Sequence, residues 1–276
     1  MEVETLTLGH GEEITGLASV GDHFLTCSLD KSLIMWDITA KKAKWVETVR
    51  SPLTCVALSP DGSKFAAGSQ DGHLYFTDVE ERSLTRMKFC ADPIISLAFS
   101  PDGQRLAFGA KDDTIYYIEN VDNLPENQEH VHLNGHSSHV KHLDFASDNL
   151  HLRSNSADLE LLFWNAQDQE TDSEVIDSLQ GWASQNCTLS FETLGLWHAL
   201  VDGTDINCSA KAEEKGLVAA GDDFGRVRIY RFPANHVNAE CKELIGHADH
   251  VKNVAFSGDG QILSSGGLEM SLFQWS

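Results

Sequence analysis

A repeat with a period of about 40 residues constrains this chain more than any other feature of its sequence. The segments SLDKSLIMWDI, SQDGHLYFTDV and AKDDTIYYIEN align without gaps, and their aspartates Asp30, Asp71 and Asp112 are spaced 41 residues apart. Three further copies continue the series: SADLELLFWNA at Asp158, GDDFGRVRIYRF at Asp223 and GLEMSLFQWS at Glu269. Six copies of one unit predict a repeat architecture, in which each unit buries its apolar faces against its neighbours.

Each unit is predicted to be a small antiparallel sheet. In TCVALSPDGSKFAAGSQDGHLYFTDV, short β-prone runs are separated by PDG and QDG turns, and no stretch keeps helical spacing for a dozen residues. Proline and aspartate favour a tight turn, and glycine supplies the positive φ that some turns need. The prediction is an all-β chain whose hairpin sheets pack side by side.

Glycine-histidine pairs precede three of the repeat tryptophans by 26 to 28 residues, and in this respect the chain resembles the WD-repeat β-propellers. The resemblance implies a hydrogen-bonded chain of histidine, strand hydroxyl, turn aspartate and tryptophan within a blade. The matching residues are His10, Ser28, Asp30 and Trp36 in the first unit, His136, Ser156, Asp158 and Trp164 in the fourth, and His247 and Trp275 in the last. In the last unit Glu269 takes the place of the aspartate, and the second and third units lack the Gly-His pair.

The units are predicted to form one β-propeller domain over residues 1–276, with six recognisable blades. The N-terminal strand VETLTL is placed to become the outer strand of the last blade, which would close the ring and hide its edges. Six units are fewer than the seven blades commonest in the family. Three explanations stay open: a small ring, a seventh divergent blade in the irregular region, or a chain that is the C-terminal part of a tandem propeller protein.

The regular spacing breaks between the fourth and fifth units. Asp158 and Asp223 are 65 residues apart, whereas the neighbouring intervals are 46 residues. About 20 extra residues therefore lie within an irregular insertion at about 174–211. The segment GWASQNCTLSFETLGLWHALV contains two β-prone runs and no proline, so we expect it to be ordered. A long ordered insertion in a compact domain is usually functional.

Around this insertion the chain resembles the C-terminal propeller of the echinoderm microtubule-associated protein-like family. The resemblance is carried by WASQNCTLSF, TLSFETLGLW, DGTDIN and DDFGRVRIYRF, with support from LNGHSSHVKHLDF and GHADHVKNVAF, and with the earlier units it covers essentially the whole chain. It implies a non-enzymatic scaffold that binds tubulin or a microtubule-associated assembly in the cytoplasm. The chain departs from the family in having neither a first propeller nor a basic coiled-coil segment.

The chain is strongly acidic, with a formal net charge of -22. No lysine or arginine lies between Arg153 and Lys211, and ten acidic residues do. This charge disfavours nucleic acid and anionic membranes, because affinity for phosphates comes largely from Lys and Arg. Microtubule surfaces are acidic too, so binding to tubulin would require a local, shape-matched patch. The alternative function is a general WD-repeat adaptor that binds a basic peptide or protein through an acidic face formed by residues 158–205.

The sequence shows no signal for export or membrane insertion. Its longest apolar runs fall short of the roughly 20 residues that a membrane helix needs, and its first residues lack the features of a secretory signal. The six cysteines are scattered and form no CxxC pair. We therefore expect reduced thiols in a cytoplasmic protein.

Two groups of residues could carry chemistry, and both are explained more simply by structure. Asp202 and Asp205 lack a nearby nucleophile, phosphate loop or further calcium ligands, so we expect them to shape a turn. Five histidines crowd residues 130–142, but the repeat assigns His136 a structural role. We predict no catalytic residue, no metal site and no cofactor; a propeller hydrolase with a metal in its central channel has no motif in its favour.

The aromatic residues are predicted to be mostly core. Trp36, Trp164 and Trp275 end the third strand of their units, where they would pack between blades. Trp182 and Trp197 belong to the insertion, where burial is favoured. They are nevertheless the first candidates for aromatic anchors in a partner interface, with Asp202 and Asp205 as further candidate contacts.

Overall fold

The computed structural model describes residues 9–124, 129–166, 181–197, 205–237 and 239–275. Short antiparallel strands dominate these ranges except at the junction between the fourth and fifth repeat units. In the described ranges twenty-two strands form six sheets. Helical structure within these ranges is limited to three short 3₁₀ helices, Val121–Asn123, Phe191–Leu196 and Glu213–Lys215. No helix in the described ranges is long and apolar enough to cross a membrane.

The six sheets, here called blades 1 to 6, follow one another along the chain. Blade 1 contains β1 (Ile14–Val20), β2 (His23–Ser28), β3 (Ser32–Asp37) and β4 (Lys42–Thr48), and blade 2 contains β5 (Leu53–Leu58), β6 (Lys64–Ser69), β7 (His73–Asp78) and β8 (Thr85–Lys88). Blade 3 contains β9 (Ile94–Phe99), β10 (Leu106–Ala110), β11 (Thr114–Ile118) and β12 (Val131–Asn134), and blade 4 contains β13 (Val140–Phe145), β14 (His151–Ser156) and β15 (Leu161–Asn165). Blade 5 contains β16 (Ile206–Ala212), β17 (Leu217–Asp222), β18 (Arg226–Arg231) and β19 (Cys241–Ile245), and blade 6 contains β20 (Val251–Phe256), β21 (Ile262–Gly266) and β22 (Leu272–Trp275).

Within each blade the strands pair in sequence order, as consecutive antiparallel hairpins. The prediction of an all-β propeller with six blades is confirmed, and each of the six repeat units corresponds to one blade. Blades 4 and 6 have three strands in the described part of the chain. The predicted closing strand VETLTL lies outside the described residues.

The turn between the second and third strands is the most regular part of each blade. In every blade one turn residue adopts the left-handed backbone conformation, with φ between 54° and 73°. These residues are Lys31, Gly72, Asp113, Leu159, Gly225 and Met270. The repeated aspartates and glycines therefore mark one turn geometry, which some blades build without glycine.

The first strand of each blade lies innermost in the ring. Five pairs of these strands pack directly: β1 with β5, β5 with β9, β9 with β13, β16 with β20, and β20 with β1. Between blades 4 and 5, residues 181–197 lie in the ring and separate much of the two sheets. We call residues 181–197 the wedge. Apart from an isolated bridge between Ala146 and Trp182, residues 181–197 contain no strand.

The hydrophobic core consists of layers between neighbouring blades. The layer between blades 2 and 3 includes Leu74, Ile94 and Phe108, and equivalent layers fill the other direct junctions. Close approach needs glycine on the second strand: a Cβ on Gly68 would lie 2.7 Å from the Ile94 side chain. At the wedge junction, Leu196 packs instead against blade 5.

The predicted end of the insertion at about residue 211 is wrong. Strand β16 begins at Ile206, so residues 206–211 belong to the inner strand of blade 5. Its sequence, INCSAKA, contains one large aliphatic residue, whereas each of the other inner strands contains at least two, so the apolar pattern that indicates a strand is weaker here.

Candidate functional site

In blade 1 a chain of side-chain hydrogen bonds joins the Gly-His pair to the repeat tryptophan. Trp36 Nε1 donates to Thr26 Oγ1 at 2.8 Å, and Thr26 Oγ1 lies 2.8 Å from His10 Nε2. On its other side, His10 Nδ1 is 3.3 Å from Asp30. Burial lowers the pKa of His10 and Asp30 offsets this only in part, so the imidazole is neutral at pH 7.

Blades 4 and 6 repeat this arrangement. In blade 4, Ser154 Oγ accepts from Trp164 Nε1 at 2.8 Å and lies 2.5 Å from His136 Nε2. His136 Nδ1 is 2.9 Å from Glu160 Oε2. In blade 6 the corresponding residues are His247, Ser264, Trp275 and Glu269.

Ser28 and Ser156 belong to the networks but do not bridge the histidine and the tryptophan. Ser28 Oγ accepts from Asp30 N at 3.1 Å, and Ser156 Oγ donates to Glu160 Oε2 at 3.0 Å. Of the predicted network residues in these two blades, only Asp158 is wrong. The bridging hydroxyls are Thr26 and Ser154, and Ser28 and Ser156 lie two residues further along the second strand. Trp36 lies directly opposite Phe24 on the neighbouring strand, and Thr26, two residues from Phe24, is diagonal to the indole and within its reach. Ser28 is four residues from Phe24 and therefore out of range, and the same spacing holds in blade 4. Asp158 is exposed, and the longer side chain of Glu160, two residues on, takes its place.

The wedge is fastened to blade 4 by a buried ion pair between Asp144 on β13 and Arg153 on β14. Their side chains are 0% and 1% exposed, and Arg153 Nε donates to Asp144 Oδ2 at 3.0 Å. The guanidinium also donates to Gln185 and Glu192 of the wedge, at 2.8 and 3.0 Å. Its carbon lies 4.5 Å from the ring centre of Trp182.

The Asp144 carboxylate collects further donors from the wedge. It accepts hydrogen bonds from Ser184 Oγ at 2.5 Å, from Asn186 N at 2.7 Å and from Cys187 N at 3.1 Å. Burial alone would raise the pKa of Asp144, but the charge of Arg153 and these donors hold it below its usual range. The ionised pair therefore orders one side of the wedge.

Hydrogen bonds from one residue of blade 4 and one residue of blade 5 also hold the wedge. Asn155 occupies the second-strand position that is glycine in blades 2, 3 and 5, and it exchanges two hydrogen bonds with the backbone of Leu189 at 2.9 and 3.0 Å. On the opposite side, Ser209 of blade 5 donates to Gln185 O at 2.9 Å. The wedge is thus bonded to both neighbouring blades.

The predicted partner contacts have different environments in the structure. Trp182 is 8% exposed and its ring covers Arg153, so it belongs to the wedge interior. Trp197 is half-buried, and its indole donates to Thr188 O at 2.8 Å. Asp205 is exposed just before β16, and its backbone N–H donates to Asp223 Oδ2 at 3.1 Å. Asp202 lies outside the described residues.

The histidine-rich stretch separates into several environments. His130 and His132 stack on each other with ring centres 4.9 Å apart, and His136 belongs to the blade 4 network. His139 and His142 lie on the inner strand of blade 4 or just before it. Across the described ranges, no group of three or more histidine, cysteine or acidic side chains could hold a metal ion.

A channel runs through the centre of the ring. At the end where the inner strands begin, it widens into a cavity of about 730 Å³ that is lined by all six inner strands and by Asn186 of the wedge. A second cavity of about 400 Å³ lies at the opposite end and shares Asn186 in its lining. The wedge therefore contributes to the channel wall as a blade would.

Two residues of the fourth repeat unit depart from the repeat pattern in the sequence and indicate the position of the wedge. Arg153 stands at the middle of a strand whose neighbouring positions are apolar or small, and Asn155 replaces a repeated glycine. Both departures point to a different neighbour for blade 4. The wedge also carries exposed apolar side chains, Phe191 at 65% and Leu194 at 41%, which sequence spacing does not distinguish from core residues.

Comparisons with known proteins agree on one family. The family model described as echinoderm microtubule-associated protein second beta-propeller matches residues 14–276. The chain is 36% identical over 283 residues to the 77 kDa echinoderm microtubule-associated protein of Strongylocentrotus purpuratus, covering 100% of this chain and 41% of that protein. It is 35% identical over 276 residues to the human echinoderm microtubule-associated protein-like 1, covering 98% of this chain and 34% of that protein. The chain thus spans well under half the length of these relatives.

Proposed function

The chain belongs to the echinoderm microtubule-associated protein family, and from that premise we propose that it is a non-enzymatic scaffold that associates with microtubules or tubulin. The observation that carries the proposal is the family match, which extends over all six blades and the wedge. The printed names of the relatives describe microtubule-associated proteins. We accordingly propose a cytoplasmic, cytoskeletal location.

The fold supports a binding role. Buried polar side chains form the blade networks and the wedge ion pair, and these bonds fix neighbouring strands and the wedge in place. A rigid ring presents loops and strand edges at fixed positions, which suits recognition of a protein surface. We propose no catalytic residue and no cofactor.

We propose that the partner-binding surface includes the outer side of the wedge. Phe191 and Leu194 are exposed on its 3₁₀ helix, and Gly195 N donates to Ala234 O at 2.7 Å, which fixes the helix against blade 5. Trp197 and Asp205 stay as proposed contacts at the end of this segment. Exposed apolar side chains on a rigid support are suited to a protein interface.

Co-sedimentation with microtubules and co-elution with soluble tubulin test the proposed function. We expect binding at micromolar protein and low salt, and a marked loss for the double variant Phe191→Ser/Leu194→Ser. The matched control is Leu268→Ser, which removes an apolar side chain that is 71% exposed on blade 6. Absence of both forms of binding in the unaltered chain would contradict the proposal.

The second candidate function is an adaptor that binds a basic peptide through the acidic face of residues 158–205. Asp158 and Asp205 are exposed and favour it. Glu160 and Glu192, however, are used in bonds to His136 and Arg153. This function predicts salt-sensitive binding of a lysine-rich peptide that is lost in Asp158→Lys/Asp205→Lys, and binding of tubulin that is unaffected by the same change.

A further inference from the structure

All six inner strands contain a β-bulge at the same position. In each strand the residue after the first one is skipped by the pairing register, as in the shift between Val140 and His142. The six skipped residues all line the larger cavity of the channel: Thr15, Thr54, Ile95, Lys141, Asn207 and Lys252. A bulge redirects the side chain of its extra residue. Each blade therefore places the side chain of its skipped residue at this end of the channel, which we call the mouth.

The mouth of this cavity is cationic, although the whole chain carries a charge of -22. Its lining includes Lys111, Lys141 and Lys252, and Glu13 is the only acidic residue among the described residues of that lining. Glu13 lies 3.1 Å from Lys252 Nζ and so neutralises one of the three lysines. Lys111 and Lys141 are exposed, and neither forms an ion pair with any part of the chain that the structure describes.

Two of these lysines lower the pKa of the same histidine, His139. Burial lowers the pKa of His139 most, and the positive charges of Lys141 and Lys111 lower it further. The neighbouring carboxylates, Asp113 and Asp158, raise the pKa of His139 by less than either lysine lowers it. At His139 the two lysines therefore outweigh the two carboxylates.

A neutral acceptor lies beside these charges. Burial lowers the pKa of His142 to about 4, and its Nε2 donates to Asn207 O at 3.0 Å. Its Nδ1 is consequently an acceptor, and it is buried without a hydrogen-bond partner among the described residues. His142 is thus neutral and adds no charge to the lining of the cavity.

We propose that this mouth, formed by Lys111, Lys141, Lys252, His139 and His142, binds a carboxylate-rich segment of polypeptide. The lysines belong to blades 3, 4 and 6, so their charges are spread around the rim and match several carboxylates along an extended chain better than one compact anion. The cavity volume of about 730 Å³ is within the range of ligand sites.

The inference deepens the proposed function and rests on it only for the source of the ligand, which would be an acidic segment of the microtubule surface. It also accounts for how so acidic a chain could bind an acidic partner. The repulsion of the whole molecule would act at long range and be screened by salt, whereas the mouth offers a local positive site.

Fluorescence anisotropy with a labelled glutamate-rich peptide tests the inference, with the glutamine-for-glutamate peptide as the control probe. We expect the glutamate peptide alone to bind, with an affinity that falls as salt is raised. The variant Lys111→Glu/Lys141→Glu should weaken binding by about 10-fold or more. The variant Lys42→Glu/Lys44→Glu makes the same charge change on outer strand β4, away from the mouth, and should bind within about twofold of the unaltered chain.

Equal binding of the two peptides, or equal loss in both charge variants, would overturn the inference. The milder Lys141→Gln change should also weaken binding, which guards against an effect of misfolding. Microtubule co-sedimentation separates the two proposals. Peptide binding without co-sedimentation contradicts the proposed function alone, and co-sedimentation retained by Lys111→Glu/Lys141→Glu contradicts the inference alone.

Discussion

Replacing Arg153 by methionine should strongly destabilise the ring, because this side chain joins the wedge to blade 4. The change would leave Asp144, which is 0% exposed, without its charged partner. It would also remove the bonds to Gln185 and Glu192 and the stacking on Trp182. Breaking a buried ion pair from one side costs about 3–5 kcal/mol. Asp144 keeps three donors from the wedge, so we expect about 3–4 kcal/mol and a fall in Tm on the order of 10 °C.

Urea and thermal unfolding followed by tryptophan fluorescence measure this effect. Arg50→Met is the matched control, because Arg50 is exposed, and it should change the free energy of unfolding by no more than about 0.5 kcal/mol. The double variant Asp144→Leu/Arg153→Met should be less destabilised than Arg153→Met, since no unpaired charge stays buried. If Arg153→Met unfolds within about 1 kcal/mol of the unaltered chain, the ion pair does not hold the wedge and the reasoning is refuted.

Three further predictions concern the blades. Trp164→Ala removes a buried indole and its bond to Ser154, and should cost about 3–5 kcal/mol in chemical unfolding; an unchanged midpoint would show that the indole is not core. Hydrogen bonds from Ser137 and the neighbouring histidine lower the pKa of Glu160 from 4.5 to about 2, so its contribution to stability is present above pH 4.5 and is lost as the pH falls towards 2. Glu160→Gln should therefore flatten the dependence of Tm on pH in that window, and an unaltered slope would contradict the assignment. Gly109→Ala would place a Cβ 2.6 Å from the next inner strand and should cost about 1–3 kcal/mol, whereas Gly9→Ala, with no atom within 4 Å, should stay within about 0.5 kcal/mol.

Most of the blade architecture could be predicted because it depends on short-range patterns. The repeated turn residues fix where the second and third strands meet, and the apolar runs between them fix the strands. The hydroxyls that bridge the histidine and the tryptophan could also have been predicted correctly from the sequence. Side chains two residues apart share a face of a strand, and Thr26 and Ser154 are the hydroxyls diagonal to the repeat tryptophans.

The wedge was predicted as an ordered insertion, but its place in the ring could not be. Two β-prone runs suggested strands, whereas the described segment forms an irregular stretch and a 3₁₀ helix. Its conformation is stabilised by Asp144, Arg153 and Asn155, which precede it by roughly 30 to 45 residues. Local sequence preference carries no information about such partners.

By itself the sequence determined the all-β class, the six blades, the repeated turns and the family, because each depends on residues close together along the chain or on their period. Only the tertiary structure decided that Trp182 is interior, that Glu160 replaces Asp158, and that a wedge completes the ring between blades 4 and 5. It also gathered Lys111, Lys141 and Lys252 at one channel mouth of a chain whose net charge indicates the opposite sign. Closure of the ring brings distant blades together, and net charge is a sum that does not record position.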